Sequence, residues 1–235
     1  MGRLQDRIAL ITGASRGIGA AVADRFAAEG ARLVLAARTT GALEEIDDQV
    51  KAASGGRGAT LVPFDLREGD KIDEMAAALA ERFGRLDILV GNAGILGGLS
   101  PLAHTEPAQW QTAMDVNLTA NWRLIRALEP LLRQSSAGRA IFVTSGVARV
   151  ALPYWGPYAV SKAALEMLIR TWAAELEKTP VRANILDPGV IRTRMRAEAV
   201  PGEDPETLPL PASIAGIFVD LAGASCSLNG ETVVA

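Results

Sequence analysis

Short apolar runs alternate along the chain with longer stretches in which apolar residues recur every three or four positions. The runs at 8–12, 32–36, 60–64, 86–91, 139–144, 181–187 and 232–234 read as strands. Helical patterns lie between them, near 17–29, 42–53, 70–83, 107–133, 155–178 and 212–222. Strands separated in this way by helices predict βαβ units and a parallel sheet. The strands are apolar on both faces, without alternation, which fits a sheet covered by helices on each side. Residues 190–211 break the rhythm, with four prolines and no clear period. They read as an irregular substrate-side loop of functional or mobile character.

Length and composition narrow the picture. The 235 residues suit one α/β domain spanning 1–235, with enough chain to bury a core unaided by disulfides or metals. Cys226 is the single cysteine, so no intramolecular disulfide is expected and a reducing compartment is. His104 is the only histidine, and the expectation for metals is none. A net charge of −3 gives no footprint for nucleic acid or an anionic membrane. The N-terminus enters a strand at once, with no secretory pattern, and no apolar run approaches the ~20 residues that span a bilayer. A cytoplasmic protein is the expectation.

The first strand leads into a glycine-rich turn. Gly13, Gly17 and Gly19 follow it and open the first helix. Glycine permits a tight turn and lets main-chain N–H groups approach a pyrophosphate, and the helix N-terminus adds orphan donors and a positive dipole end. The second strand ends in Ala36, Ala37 and Arg38, where an NAD-binding chain would carry an acid. Arg16 projects from the glycine turn. Two guanidiniums suit a 2′-phosphate, so NADP(H) is the expected cofactor.

Tyr158 and Lys162 stand four apart in a helical stretch and share one face. A phenol ionises near pH 10, so a fixed cation beside it is the expected means of lowering that value. At this point the motifs resemble the short-chain dehydrogenase/reductase family. They are T12-G-A-S-R-G-I-G19, D65-L66, N92-A-G94, Asn117 in D-V-N-L, Ser145 in V-T-S, Y158-A-V-S-K162 and P188-G-V-I-R-T193. Bacterial oxidoreductases with no agreed substrate and 3-oxoacyl-carrier-protein reductases share this layout.

The resemblance implies a Rossmann fold, a doubly wound parallel sheet of seven strands in the order 3-2-1-4-5-6-7, with helices on both faces. It also implies exchange of hydride between NADP(H) and a carbonyl/alcohol pair. Tyr158 would be the general acid/base, Lys162 would lower its pKa and hold the nicotinamide ribose, and Ser145 would donate to the substrate oxygen. Asn117 would hold a water linking Lys162 to solvent. The cofactor would lie against Gly13, Ser15, Arg16, Gly17, Ile18, Gly19 and Arg38. Asp65 and Leu66 would meet the adenine and Asn92, Ala93 and Gly94 the nucleotide. Pro188, Gly189, Ile191 and Thr193 would complete the site, Thr193 at the carboxamide or pyrophosphate.

Two departures from the family pattern stand out. Gly91 replaces an asparagine common in the third motif, and no glycine-rich tail follows the last strand, so a smaller or more open substrate side is expected. That side is expected to be apolar, built from Leu96, Val147, Leu152, Tyr154, Trp155 and Met195. Arg192, Arg194 and Arg196 read as a solvated basic face in preference to a site for an acidic substrate. Trp110, Trp122 and Trp172 read as packing or oligomer residues. The expected partners are a small carbonyl or alcohol and further copies of the chain, as a homodimer or homotetramer. The alternative is a non-catalytic nucleotide-binding scaffold or redox sensor, which usually lacks the tyrosine or lysine.

Overall fold

A computed structural model describes residues 2–235. The first half of the chain forms β1 (Ile8–Thr12), α1 (Gly17–Ala28), β2 (Arg32–Ala37), α2 (Thr40–Ser54), β3 (Thr60–Pro63), α3 (Gly69–Phe83) and β4 (Ile88–Gly91). The second half forms α4 (Pro107–Met114), α5 (Ala120–Arg133), β5 (Arg139–Val143) and α6 (Gly156–Glu175). It continues through β6 (Arg182–Asp187), α7 (Arg194–Ala199), α8 (Ala215–Ala222) and β7 (Thr232–Val234). The seven strands make one parallel sheet in the order β3-β2-β1-β4-β5-β6-β7.

The absence of alternation in the strands is explained by what covers each face. Along β1, Ala9 and Ile11 point into one core, with Val22 and Phe26 of α1, Leu43 of α2 and Phe218 of α8. Ile8 and Leu10 point into the other, with Ile72 of α3, Leu124 of α5 and Leu165 of α6. Both sets of side chains leave water, so both must be apolar. Among the described residues, no helix is long and apolar enough to cross a membrane.

Two expectations are corrected. The single helix over 107–133 is two helices joined by a π-helical turn, Asp115–Thr119, with Asn117 buried in it. Periodicity cannot reveal one inserted residue, and such bulges gather at functional sites. The segment 190–211 is not an irregular loop. It contains α7, whose first turn is capped by the Thr193 hydroxyl accepting from the Arg196 N–H at 3.1 Å.

The basic run in this segment is matched by glutamates within it. Arg192 pairs with Glu206 at 2.9 Å, Arg194 with Glu198 at 2.8 Å and Arg196 with Glu203 at 2.5 Å. The segment is therefore pinned to itself, and its arginines are not a free basic face. The pairs span four, seven and fourteen residues, and only the folded segment brings the two wider ones together.

Candidate active site

The carboxyl ends of β1, β4, β5 and β6 open onto a cleft of about 1220 Å³ that runs from Arg38 and Asp65 at one end to Leu210 at the other. This is where ligands bind in open α/β sheets. Gly13 and Gly17 both have positive φ, 63° and 59°, and a Cβ on Gly13 would come within 2.9 Å of the Ala93 Cα. No side chain caps the first turn of α1, so its N–H groups remain open to the cleft beside Ser15 and Ile18. Arg16 and Arg38 line the cleft and make no ion pair among the described residues. A backbone cradle with two free cations at one end fits a phosphorylated dinucleotide.

Several expected cofactor residues act by holding this cradle. The Asn92 amide nitrogen donates to the carbonyls of Thr12 at 3.0 Å and Gly13 at 3.2 Å. The Thr12 hydroxyl, absent from the expected site, accepts from the N–H groups of Asn92 and Ala93 at 3.1 and 3.2 Å. Asp65 takes a forked pair from Arg67, which holds its carboxyl below the usual range. Ile191 is 5% exposed and joins the core that includes α1, at the wall of the cleft. Leu66, Gly94, Pro188 and Gly189 line the cleft, and Thr193 lies across it from Gly17. Gly91 has its own cause: a side chain there would strike the Phe142 ring on β5, opposite it in the sheet.

At the middle of the cleft, α6 presents Tyr158 and Lys162 on one face, and Ser145 faces them from the end of β5. Tyr158 is 7% and Lys162 2% exposed. The Lys162 ammonium donates to the Val143 carbonyl at 2.8 Å and lies 5.7 Å from the Tyr158 ring centroid. The expected lowering of the phenol does not appear. Burial pushes Tyr158 up to about 12, Ser145 pulls the other way, and Asp187 adds to the rise. Burial likewise pushes Lys162 down to about 8. Desolvation penalises both charged forms, and the ammonium is directed at a carbonyl, not at the phenol oxygen.

The Asn117 side chain is fully engaged within the protein. Its amide oxygen accepts from the Ile95 N–H, and its nitrogen donates to the Ile95 carbonyl and the Ser161 hydroxyl, each at 2.9 Å. The side chain is thus a strut between the 92–95 turn and α6, leaving its amide N–H groups no capacity for a bound water.

On the substrate side, Leu96, Val147, Leu152, Trp155 and Met195 line the cleft as expected. Trp155 stacks at a tilt on Tyr158, with centroids 6.0 Å apart. Tyr154 is not part of the lining: its φ is +76° and it is 59% exposed. The sequence reading missed Val150, Val190 and Leu210, which lie on the rim. It also missed an ionic cluster in which the exposed Arg149 reaches the buried carboxylates of Glu166 and Asp187. Val190 and Leu210 belong to the segment whose fold was not legible, and charged residues without a motif gave no signal for the cluster.

Comparisons with known proteins agree with this architecture. A family model described as short chain dehydrogenase matches residues 7–204. The uncharacterized oxidoreductase YciK of Escherichia coli K12 is 37% identical over 222 residues, 94% of this chain and 87% of that protein. An uncharacterized NAD-dependent oxidoreductase of Mycobacterium tuberculosis, Rv0687, is 37% identical over 83% of this chain and 74% of its own length. A structure from Escherichia coli CFT073, solved as a candidate short chain dehydrogenase in complex with NADPH, superposes with a TM-score of 0.94 at 36% identity, covering 98% of this chain and 96% of that one. Motif order, sheet order and these matches coincide, and the chain belongs to the short chain dehydrogenase family of oxidoreductases.

Proposed function

We propose that the protein interconverts a carbonyl and a secondary alcohol using NADP(H), with Tyr158 as the proton donor and acceptor. The observation that carries this reading is the convergence of Ser145, Tyr158 and Lys162 on the glycine cradle within one cleft. A nicotinamide dinucleotide held in that cradle supplies or takes the hydride. In reduction, Tyr158 gives its proton to the carbonyl oxygen as negative charge develops there, and the Ser145 hydroxyl donates to the same oxygen. A phenol held near 12 is protonated at neutral pH, which is the state that reduction needs. Lys162, one turn along the same face of α6, holds the ribose hydroxyls. Asn117 fixes the turn that carries Gly94 against α6.

For the cofactor, the two unpaired arginines at the adenosine end support NADP(H) over NAD(H). One charge-assisted bond is worth about 1.5–3 kcal/mol. Arg38→Ala should therefore weaken NADPH by roughly one to two decades in a direct binding titration and leave NADH nearly unchanged. Equal dissociation constants for the two cofactors in the native protein would overturn the assignment.

For the substrate, the apolar lining at Leu96, Val147, Leu152 and Met195 supports medium-sized hydrophobic ketones. The internal pairing of Arg192, Arg194 and Arg196 argues against phosphorylated ones. A carbonyl panel with NADPH tests this, and a clear preference for a sugar phosphate contradicts it. The whole chain acts as one domain in this reading. Trp122 on α5 and Val160 and Met167 on α6 are exposed, which supports a dimer or tetramer through these helices.

A further inference from the structure

Beneath the reacting end of the cleft, two carboxylates are buried on different elements. Glu166 lies one turn beyond Lys162 on α6, and Asp187 closes β6; their side chains are 3% and 5% exposed. Arg149, from the loop after Ser145, reaches both. One arm donates to Glu166 at 2.5 Å and the other to Asp187. Glu166 also accepts from the Thr144 hydroxyl at 2.9 Å and from Arg170 at 2.8 Å, and Asp187 accepts from the Gly189 N–H at 3.1 Å. Three of the linked residues lie close to the reaction centre or the cofactor loop: Thr144 precedes Ser145, Glu166 lies one helical turn beyond Lys162, and Asp187 precedes Pro188.

We infer that Arg149 is a positioning residue of the reaction centre, clamping Glu166 of α6 to Asp187 of β6 and so fixing Ser145, Tyr158 and the 188–193 loop relative to one another. The chemistry requires an arginine. Two buried carboxylates on separate elements need compensating charge, and a planar fork engages both at once where a point charge cannot. The clamp also sets the charge seen by Tyr158. The ionisable groups facing the phenol are Lys162 from its own helix and Asp187 from β6, and Asp187 is balanced by Arg149 from the loop after β5. Glu166, two turns along α6, is directed at Thr144, Arg149 and Arg170.

This inference rests on the proposed role of Tyr158, and its test separates the two. Native protein, Arg149→Met, Arg149→Lys and the double variant Arg149→Met/Asp187→Asn would be compared in the pH dependence of kcat and KM for alcohol oxidation. Phenolate absorbance of the cofactor-free proteins would be titrated in a Tyr154→Phe background, where Tyr158 is the one tyrosine left of two. Arg149→Met is expected to lose about tenfold or more in kcat, with the alkaline limb moved up by on the order of one pH unit. Its phenolate titration should move up in parallel, out of the accessible range. Adding Asp187→Asn removes the charge that Arg149 balanced and should bring both readouts back down, with partial recovery of kcat. Arg149→Lys should fall between native and methionine variants. Unchanged kcat in Arg149→Met overturns the clamp, as does a loss with an unmoved limb and no recovery in the double variant. If the native protein oxidises no alcohol, the reaction assignment fails, and the phenolate titration still decides the clamp.

Discussion

Tyr158→Phe should lower turnover by a factor of about 10²–10⁴ in either direction, the usual worth of general acid/base catalysis. The substitution keeps the ring that packs against Trp155 and deletes the one hydroxyl able to exchange a proton with the substrate oxygen. Cofactor affinity should stay close to native, because the glycine turn and the two free arginines are untouched. The pH dependence carries the same information. Reduction uses the protonated phenol and should hold across the neutral range. Oxidation uses the phenolate and should climb as pH rises toward the Tyr158 pKa of about 12. Oxidation that peaks at neutral pH would show that cofactor or substrate binding reverses the effect of burial.

The second large effect concerns Lys162, where activity and stability should move in opposite directions. Its ammonium is buried at a cost, as the fall from 10.5 to about 8 records. That shift corresponds to roughly 3 kcal/mol at about 1.4 kcal/mol per unit. Lys162→Met removes the buried charge but leaves the Val143 carbonyl without its donor, which costs about 1–3 kcal/mol. A net gain on the order of 1 kcal/mol should raise the melting temperature by about 2–4 °C at pH 7, while turnover and cofactor affinity both collapse. The sign follows from linkage. The native penalty is complete below the folded value near 8 and fades as pH rises toward the unfolded value of 10.5, so the variant's advantage should shrink across that window and then reverse, since the lost Val143 hydrogen bond remains. A variant less stable than native at pH 7 would mean that the ammonium supports the fold and is not a burden it carries for function.

The sheet was legible because parallel strands leave both faces dry, and seven apolar runs between helical patterns admit few arrangements. The strand order itself came from the motif resemblance. The site was legible where a residue is needed for what it is, as with Gly13, Ser145, Tyr158 and Lys162. It was not legible where a residue acts through three-dimensional neighbours. The π-helical turn directs the Asn117 amide at Ile95 and Ser161, a strut that spacing along the chain does not reveal. Asn92 lines the cleft while its nitrogen holds the glycine turn, a structural role that no motif announces. Tyr154 was assigned to the pocket, and a left-handed backbone places it among exposed residues outside the lining. Arg149, Glu166 and Asp187 fit no motif, and only the fold brings them within reach of one another. The raised phenol had the same origin: spacing reports that a cation is near, whereas burial decides which charged form is tolerated.

The central claim is that hydride passes between NADP(H) and a substrate carbon while Tyr158 handles the proton. The most direct measurement uses NADPH deuterated at the nicotinamide C4, native protein and an activated hydrophobic diketone, with the product analysed by mass spectrometry. Transfer of one deuterium to the carbinol carbon, strongly reduced in Tyr158→Phe, is the result expected. Consumption of NADPH without deuterium in the alcohol, or equal transfer by the phenylalanine variant, would contradict it.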